Sequence, residues 1–241
     1  MRFSEKADRY EERAFIQADM AEWLAEWIGR VRGIQEPVLE LGAGTGFFTR
    51  LLTEHFNNLL ATDVSEAMVA LGKERVPGVS WEVCNGWNLS SGDWSAIFSS
   101  SLLQWCPDPA FVFSSWDKVL KPGAQMLHGF FVEGTLSEIQ EIAPDCLAVK
   151  FHSGTEWAAY FEAAGYQVLD MDIKQVSYGF ASAMELFRYL HGIGATLGPR
   201  RIKPTILRKI IEACDLNRSQ NIEGEVKSQW VFSRILCKKT D

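Results

Sequence analysis

Apolar and polar positions follow one another along this chain in two rhythms. One is short and continuous, and the other is spaced by three and four. The continuous runs are Pro37–Leu41, Asn58–Thr62, Val79–Val83, Ala96–Ser99 and Gln125–Val132, each of a length that suits a buried strand. Between them, Phe48–Phe56, Glu66–Arg75, Ala110–Val119 and Leu136–Leu147 carry apolar residues at helical spacing. Strand and helix in regular turn predict a parallel sheet with helices on both faces. Ahead of the first run, Met20, Trp23, Leu24, Trp27, Ile28 and Val31 mark one stripe of an amphipathic helix that Gly33 ends. Residues 1–33 are thus read as an N-terminal helical segment.

Beyond the fifth run the rhythm changes. Glu156–Ala164 predicts a helix closed by Gly165, Tyr166–Val176 a strand, Ala183–His191 and Thr205–Cys214 two helices, and Ser228–Cys237 a last strand. Helical pattern fills the roughly fifty residues between those two strands, and an insertion of that size, at about 180–225, is read as a lid over an active site. No repeat or low-complexity tract interrupts the pattern, so 1–241 is expected to form a single domain.

Composition narrows the class. Hydrophobic residues make up 47% of the 241 and charged residues 23%, which is globular rather than disordered. The net charge of −7 argues against broad binding to nucleic acid or to anionic membrane. Cys84, Cys106, Cys146, Cys214 and Cys237 are odd in number, have apolar neighbours and form no CxxC pair, so buried reduced thiols are expected rather than disulfides or a metal site. Met1–Arg13 is charged throughout, unlike a secretory leader. No apolar run approaches the roughly 20 residues of a membrane span. The expectation is a soluble cytoplasmic protein.

The chemistry concentrates at Val38-Leu39-Glu40-Leu41-Gly42-Ala43-Gly44-Thr45-Gly46, where a buried strand meets a glycine turn and a helix opens at Phe47 and Phe48. Glycines let the backbone turn sharply and approach a ligand closely, and a helix start presents unpaired N–H groups. Asp63 falls twenty-one residues after Gly42, at the end of the second run, where an acid can take both hydroxyls of a ribose. The spacing is not that of a dinucleotide fingerprint, because Phe47 stands where the third glycine is required. Glu40 would repel a pyrophosphate but suits a cationic ligand with an amino-acid end.

This E-x-G-x-G-x-G pattern resembles motif I of the class I S-adenosylmethionine-dependent methyltransferases. Asn85-Gly86-Trp87-Asn88-Leu89 occupies that family's D-A-E-x-L position, with Asn85 in place of the usual Asp, and its carbonyl can still accept from an adenine amino group. Leu120-Lys121-Pro122-Gly123 is similar to the family's turn before the fifth strand. A narrower resemblance, to the malonyl-carrier-protein O-methyltransferases of biotin synthesis (the BioC family), covers most of the chain. It is carried by Phe3, Ala7, Tyr10-Glu11, Ala14 and Gln17, by Leu103-Gln104-Trp105-Cys106, by Gly134-Thr135-Leu136-Ser137-Glu138, and by Arg188 with Gly192-Ile193-Gly194-Ala195-Thr196. The resemblance implies a three-layer αβα sandwich around a Rossmann-like, mostly parallel seven-stranded sheet with an antiparallel last strand. It implies S-adenosyl-L-methionine as cofactor, S-adenosyl-L-homocysteine as product, and an acyl-carrier protein bearing malonyl-phosphopantetheine as partner. Cofactor contacts are carried over to Gln17, Glu40, Gly42, Gly44, Gly46, Asp63, Val64, Met68, Asn85, Gly86, Trp87 and Ser100, and substrate contacts to Tyr10, Trp105 and Arg188.

Methyl transfer to a carboxylate needs no general base, since a carboxyl group with a pKa near ~4 is already ionised at neutral pH. That agrees with only four histidines and no His/Asp constellation. The demands are alignment, a dry pocket and a cation for the buried carboxylate. Arg188 is the candidate cation, or else a solvated arginine on a polar helix face. Tyr10 and Gln17 share a helical face and either close over the ligands or belong to the core. Trp105 walls the transfer site or packs the core, and His128 touches substrate or is structural. Arg200, Arg201, Lys203, Arg208 and Lys209 form a run free of acids over Leu197–Ile211. It is read either as a docking patch for an acidic carrier protein or as a solvated basic face. The alternatives are a small-acid methyltransferase of the trans-aconitate kind and a protein that binds the cofactor without catalysis.

Overall fold

The computed structural model describes residues 14–144, 147–195, 203–220 and 222–240. Seven strands form one sheet: β1 Val38–Leu41, β2 Leu59–Asp63, β3 Ser80–Val83, β4 Trp94–Ser100, β5 Leu120–Phe131, β6 Tyr166–Phe180 and β7 Val226–Lys239. Their order is β3-β2-β1-β4-β5-β7-β6. The pairs among β1 to β5 are parallel, and β7 lies antiparallel between β5 and β6. This is the expected seven-stranded sandwich with an antiparallel last strand.

All four residues of β1 are buried, as a central strand covered on both faces requires. One face packs Leu24, Trp27, Phe48, Phe98, Leu127 and Leu236 beneath α1 (Phe15–Ala25) and α2 (Phe47–Leu52). Beyond them α3 (Glu66–Arg75) sets Val69 and Val76 against Ala61 and Trp81. The other face buries Phe113, Trp116, Phe130, Phe161 and Tyr166 beneath α4 (Pro109–Asp117) and α6 (Gly154–Ala163). A third cluster joins α5 (Ser137–Gln140), α7 (Ala183–Gly192) and α8 (Pro204–Gln220) to Phe131, Trp230 and Phe232 of the sheet. Helices α7 and α8 are the insertion expected between the last two strands.

Local chemistry fixes several helix ends. Asp108 caps α4 by accepting from the N–H groups of Ala110 and Phe111, and Pro109 fills the first turn, where a missing N–H costs nothing. Ser153 and Glu156 form a reciprocal capping box on α6.

Three expectations change. The stripe through Met20–Val31 is not one helix: α1 ends at Ala25 and a short 3-10 turn at Ile28–Arg30 follows. The Leu120–Gly123 turn is absorbed into β5 as a bulge, because Trp94 faces Leu120 while Ala96 already faces Gln125. The helix expected over Leu136–Leu147 reduces to α5, and Leu147, Ala148 and Val149 further on line a cleft. No described helix is long and apolar enough to cross a membrane.

Candidate functional site

The parallel strands end on one edge of the sheet, and a cleft of about 480 Å³ opens there. Its position follows from the strand order. β1 lies between β2 and β4, so the chain leaves the sheet in opposite directions from neighbouring strands and a crevice forms between the loops.

The glycine turn after β1 makes the floor. Gly42 has φ of +65°, and a Cβ there would stand 2.7 Å from the Leu102 side chain, so the wall closes only on glycine. Gly44 also has positive φ, but a Cβ there would meet nothing within 4 Å. Glycine is needed at that position for its backbone geometry, and the room beside it is the cleft. Gly44 N–H donates to Asp63 Oδ2 at 3.0 Å, and Ser65 N–H donates to Oδ1 at 2.8 Å. Backbone N–H groups thus anchor both carboxylate oxygens, which keep acceptor capacity for a ligand. Burial pushes the Asp63 carboxyl upward, and the Ser65 and Gly44 N–H groups oppose it by stabilising the charge.

Glu40 is 1% exposed. Burial pushes its carboxyl up to about 8, and the nearby Asp63 charge adds to the rise. Its Oε2 lines the cleft without a hydrogen-bond partner among the described residues. Three more buried oxygens of lining residues share that condition: Thr45 Oγ, Ser101 Oγ and Gln104 Oε1. Unsatisfied polar atoms are costly in a protein interior. A ligand with a cationic amino group and several hydroxyls satisfies them, so these residues fit an amino-acid-bearing nucleoside.

Gln17, Glu40, Gly42, Gly44, Asp63, Val64, Met68, Asn85, Gly86, Trp87, Ser100 and Trp105 all line this one cleft. Asn85 Oδ1 already accepts the Trp87 N–H at 3.1 Å and retains a second lone pair. Gly46 does not line the cleft: it starts α2 and packs against Val76. Arg188 is exposed on α7 and is not brought to the lining. Tyr10, Arg200 and Arg201 lie outside the described residues. Lys203, Arg208 and Lys209 are exposed at the start of α8, no residue of which lines the cleft, and Arg208 pairs with Glu212 at 3.3 Å. His128 is fully buried between Trp116 and Phe161, with Nδ1 2.8 Å from Ser99 Oγ, and burial holds its pKa down at about 3. It is a neutral core group.

The opposite wall was not foreseen residue by residue. Phe131, Leu136, Leu147, Val149, Phe151, Ile193 and Trp230 give it an apolar surface, with Gln104 at its edge. These come from β5, the residues flanking α5, the end of α7, and β7, so only the tertiary fold assembles them. The local signals were the Leu103–Cys106, Gly134–Glu138 and Gly192–Thr196 segments, which contribute Gln104, Leu136 and Ile193. No Lys, Arg or His occurs among the described lining residues.

Residues 39–128 match a family model described as a methyltransferase domain. The chain is similar to the malonyl-[acyl-carrier protein] O-methyltransferase of Brevibacillus brevis, 23% identical over 86% of this chain and 85% of that protein. It is likewise similar to malonyl-[acyl-carrier protein] O-methyltransferase 2 of Ilyobacter polytropus, 25% identical over 92% and 90%. Against the biotin biosynthesis bifunctional protein BioHC of Cellvibrio japonicus, identity is 26% over 98% of this chain, which spans about half (49%) of that protein. Among solved structures, the YcgJ protein of Bacillus subtilis has a TM-score of 0.63 at 16% identity, covering 92% of this chain and 99% of its own. An S-adenosylmethionine-dependent methyltransferase of Mesorhizobium loti has a TM-score of 0.54 at 16% identity, covering 91% and 98%.

Proposed function

We propose, from the premise that this chain belongs to the class I S-adenosylmethionine-dependent methyltransferases, that it methylates the free carboxylate of a malonyl thioester carried on an acyl-carrier protein. The observation that carries the reading is the cleft itself. Its polar residues fit the cofactor and its apolar ones can exclude water, in a chain whose relatives over most of its length bear that name.

When bound, the cofactor supplies a methyl group on a positively charged sulfur. The chain's own residues bind, orient and dry the reactants. Asp63 would take the ribose hydroxyls through its free lone pairs, and Glu40 the amino group. Val64 and Met68 would flank the adenine, with Asn85 accepting from its amino group. On the other side Trp105, Phe151, Ile193 and Trp230 would strip water from the acceptor carboxylate, whose charge already makes it a nucleophile. A hydroxyl or amine acceptor needs a base to take its proton. No His or Lys among the described lining residues offers one. Arg188 stands outside that lining, so in this reading it meets the thioester on its approach rather than in the bound state. Lys203, Arg208 and Lys209, with Arg200 and Arg201 before them, would receive the acidic carrier surface. A cytoplasmic location agrees with that partner.

Mass spectrometry after incubation with S-adenosylmethionine and each of three acceptors tests the reading: malonyl-carrier protein, malonyl-coenzyme A and free trans-aconitate. The expected product is a methyl ester formed fastest on the carrier protein. Preferential methylation of trans-aconitate would replace it with the small-acid reading, and no methyl ester on any acceptor would leave cofactor binding without this catalysis.

A further inference from the structure

One buried hydrogen bond joins two elements that lie far apart in sequence. The Tyr189 hydroxyl, on α7, donates to Gln17 Oε1, on α1, at 2.9 Å. Gln17 lines the cleft and Tyr189 does not. A carboxamide has a carbonyl end that accepts and an amino end that donates. With the carbonyl end turned to Tyr189, the amino end is left without a hydrogen-bond partner among the described residues, so it is the end offered to the cleft.

Tyr189 is well fixed for such a task. It is 5% exposed. Its ring lies 4.9 Å from that of Phe15, 5.4 Å from Phe180 and 6.0 Å from Trp230, which itself lines the cleft. A ring packed on three sides holds its hydroxyl in one place and so sets the orientation of its partner. The cleft offers no Lys, Arg or His among its described lining residues. Among the described residues, a carboxylate on a ligand can be met there only by neutral donors.

We propose that Tyr189 is a positioning residue. It turns the Gln17 amide so that its amino group donates to the carboxylate of the cofactor's amino-acid arm, and it thereby ties the insertion to cofactor recognition. This rests on the methyltransferase reading of the cleft.

Calorimetry with two probes tests it. S-adenosylhomocysteine carries the amino-acid arm, and methylthioadenosine keeps the nucleoside and the sulfur but lacks that arm. Gln17→Leu should weaken S-adenosylhomocysteine about tenfold, the worth of one hydrogen bond to a charged group. Tyr189→Phe, which removes a single oxygen, should weaken it roughly threefold, as loss of orientation alone predicts. Methylthioadenosine should bind all forms alike, and the double variant should lose no more than Gln17→Leu alone. An unchanged Kd for S-adenosylhomocysteine in both variants overturns the proposal, as does an equal loss on both probes or a loss seen only as a raised KM for the acceptor. Failure of the unaltered protein to bind either probe is a different result and overturns the methyltransferase reading instead.

Discussion

Replacing Glu40 with Gln should make the ligand-free protein more stable in alkali while weakening its hold on the cofactor. Glu40 lies on a central strand at 1% exposure, and burial raises its carboxyl from 4.5 to about 8. The folded state therefore keeps a proton that the unfolded chain releases across that interval. Stability conferred by that proton is full below the unfolded value and is lost as pH rises through the folded one. At ~1.4 kcal/mol per pKa unit the ceiling is about 5 kcal/mol, all of it absent from an isosteric neutral side chain. Since about 1 kcal/mol moves the midpoint of a chain this size by roughly 2–4 °C, the gain at the alkaline end has a ceiling of about 10–20 °C. Thermal denaturation would be followed from about pH 5 to about pH 9, where titrating groups other than Glu40 and its neighbour Asp63 contribute alike to both proteins. The two Tm values should coincide at the acid end, with the variant pulling ahead through the neutral range. In parallel, the variant should bind S-adenosylhomocysteine more weakly, because its amino group loses an ionic partner. Parallel Tm curves for the two proteins would refute the reasoning, showing either that Glu40 is ionised in the folded state or that water reaches it.

Two further outcomes follow from the geometry. Gly72→Ala should destabilise the protein by roughly 1–3 kcal/mol in chemical denaturation, although the same change in an exposed helix stabilises by up to ~1 kcal/mol, because the new Cβ would stand 2.3 Å from the Trp81 ring; a variant as stable as the parent would show that Trp81 yields freely. Reversing Lys203 and Lys209 to Glu should raise KM for malonyl-carrier protein several-fold at low salt, with little change for a small malonyl thioester that has no acidic protein surface. Equal effects on both substrates would move the docking surface elsewhere.

The strands were legible because a doubly covered sheet needs mostly apolar runs: Ala96–Phe98 is continuous, and Val38–Leu41 is broken only by Glu40. The nucleotide side of the cleft was legible for a related reason. Gly42, Gly44 and Asp63 act through backbone geometry near strand ends, and that constraint is local. The apolar side was not, because it is built from Phe131, Phe151, Ile193 and Trp230, whose shared surface exists only after β7 has slotted between β5 and β6. Leu136–Leu147 misled for an instructive reason. Ile139, Ile142, Ala143 and Leu147 have helical spacing, and all four pack on one core cluster, yet the α-helix ends at Gln140, so the period marks burial and not a continuous helix. Arg188 was singled out by its charge and its place in the insertion, but on α7 the residues that turn inward are Leu186, Tyr189 and Leu190.

The place of β7 in the sheet has a consequence for synthesis. It follows every other strand in the chain, yet it sits inside the sheet, with β5 on one side and β6 on the other. Strands β1 to β5 can pair while translation continues, since each parallel neighbour has already been made. β6 has no partner in the sheet until β7 emerges from the ribosome, and the free side of β5 stays open for the same interval. During that time a long edge with alternating apolar groups is available to other chains. Asp170 and Asp172 put two charges in the middle of β6, and charged side chains on an edge strand disfavour pairing with a foreign one. The nascent protein can thus place Gly42, Gly44 and Asp63 early, but the cleft gains Trp230 only when its last strand has been threaded home.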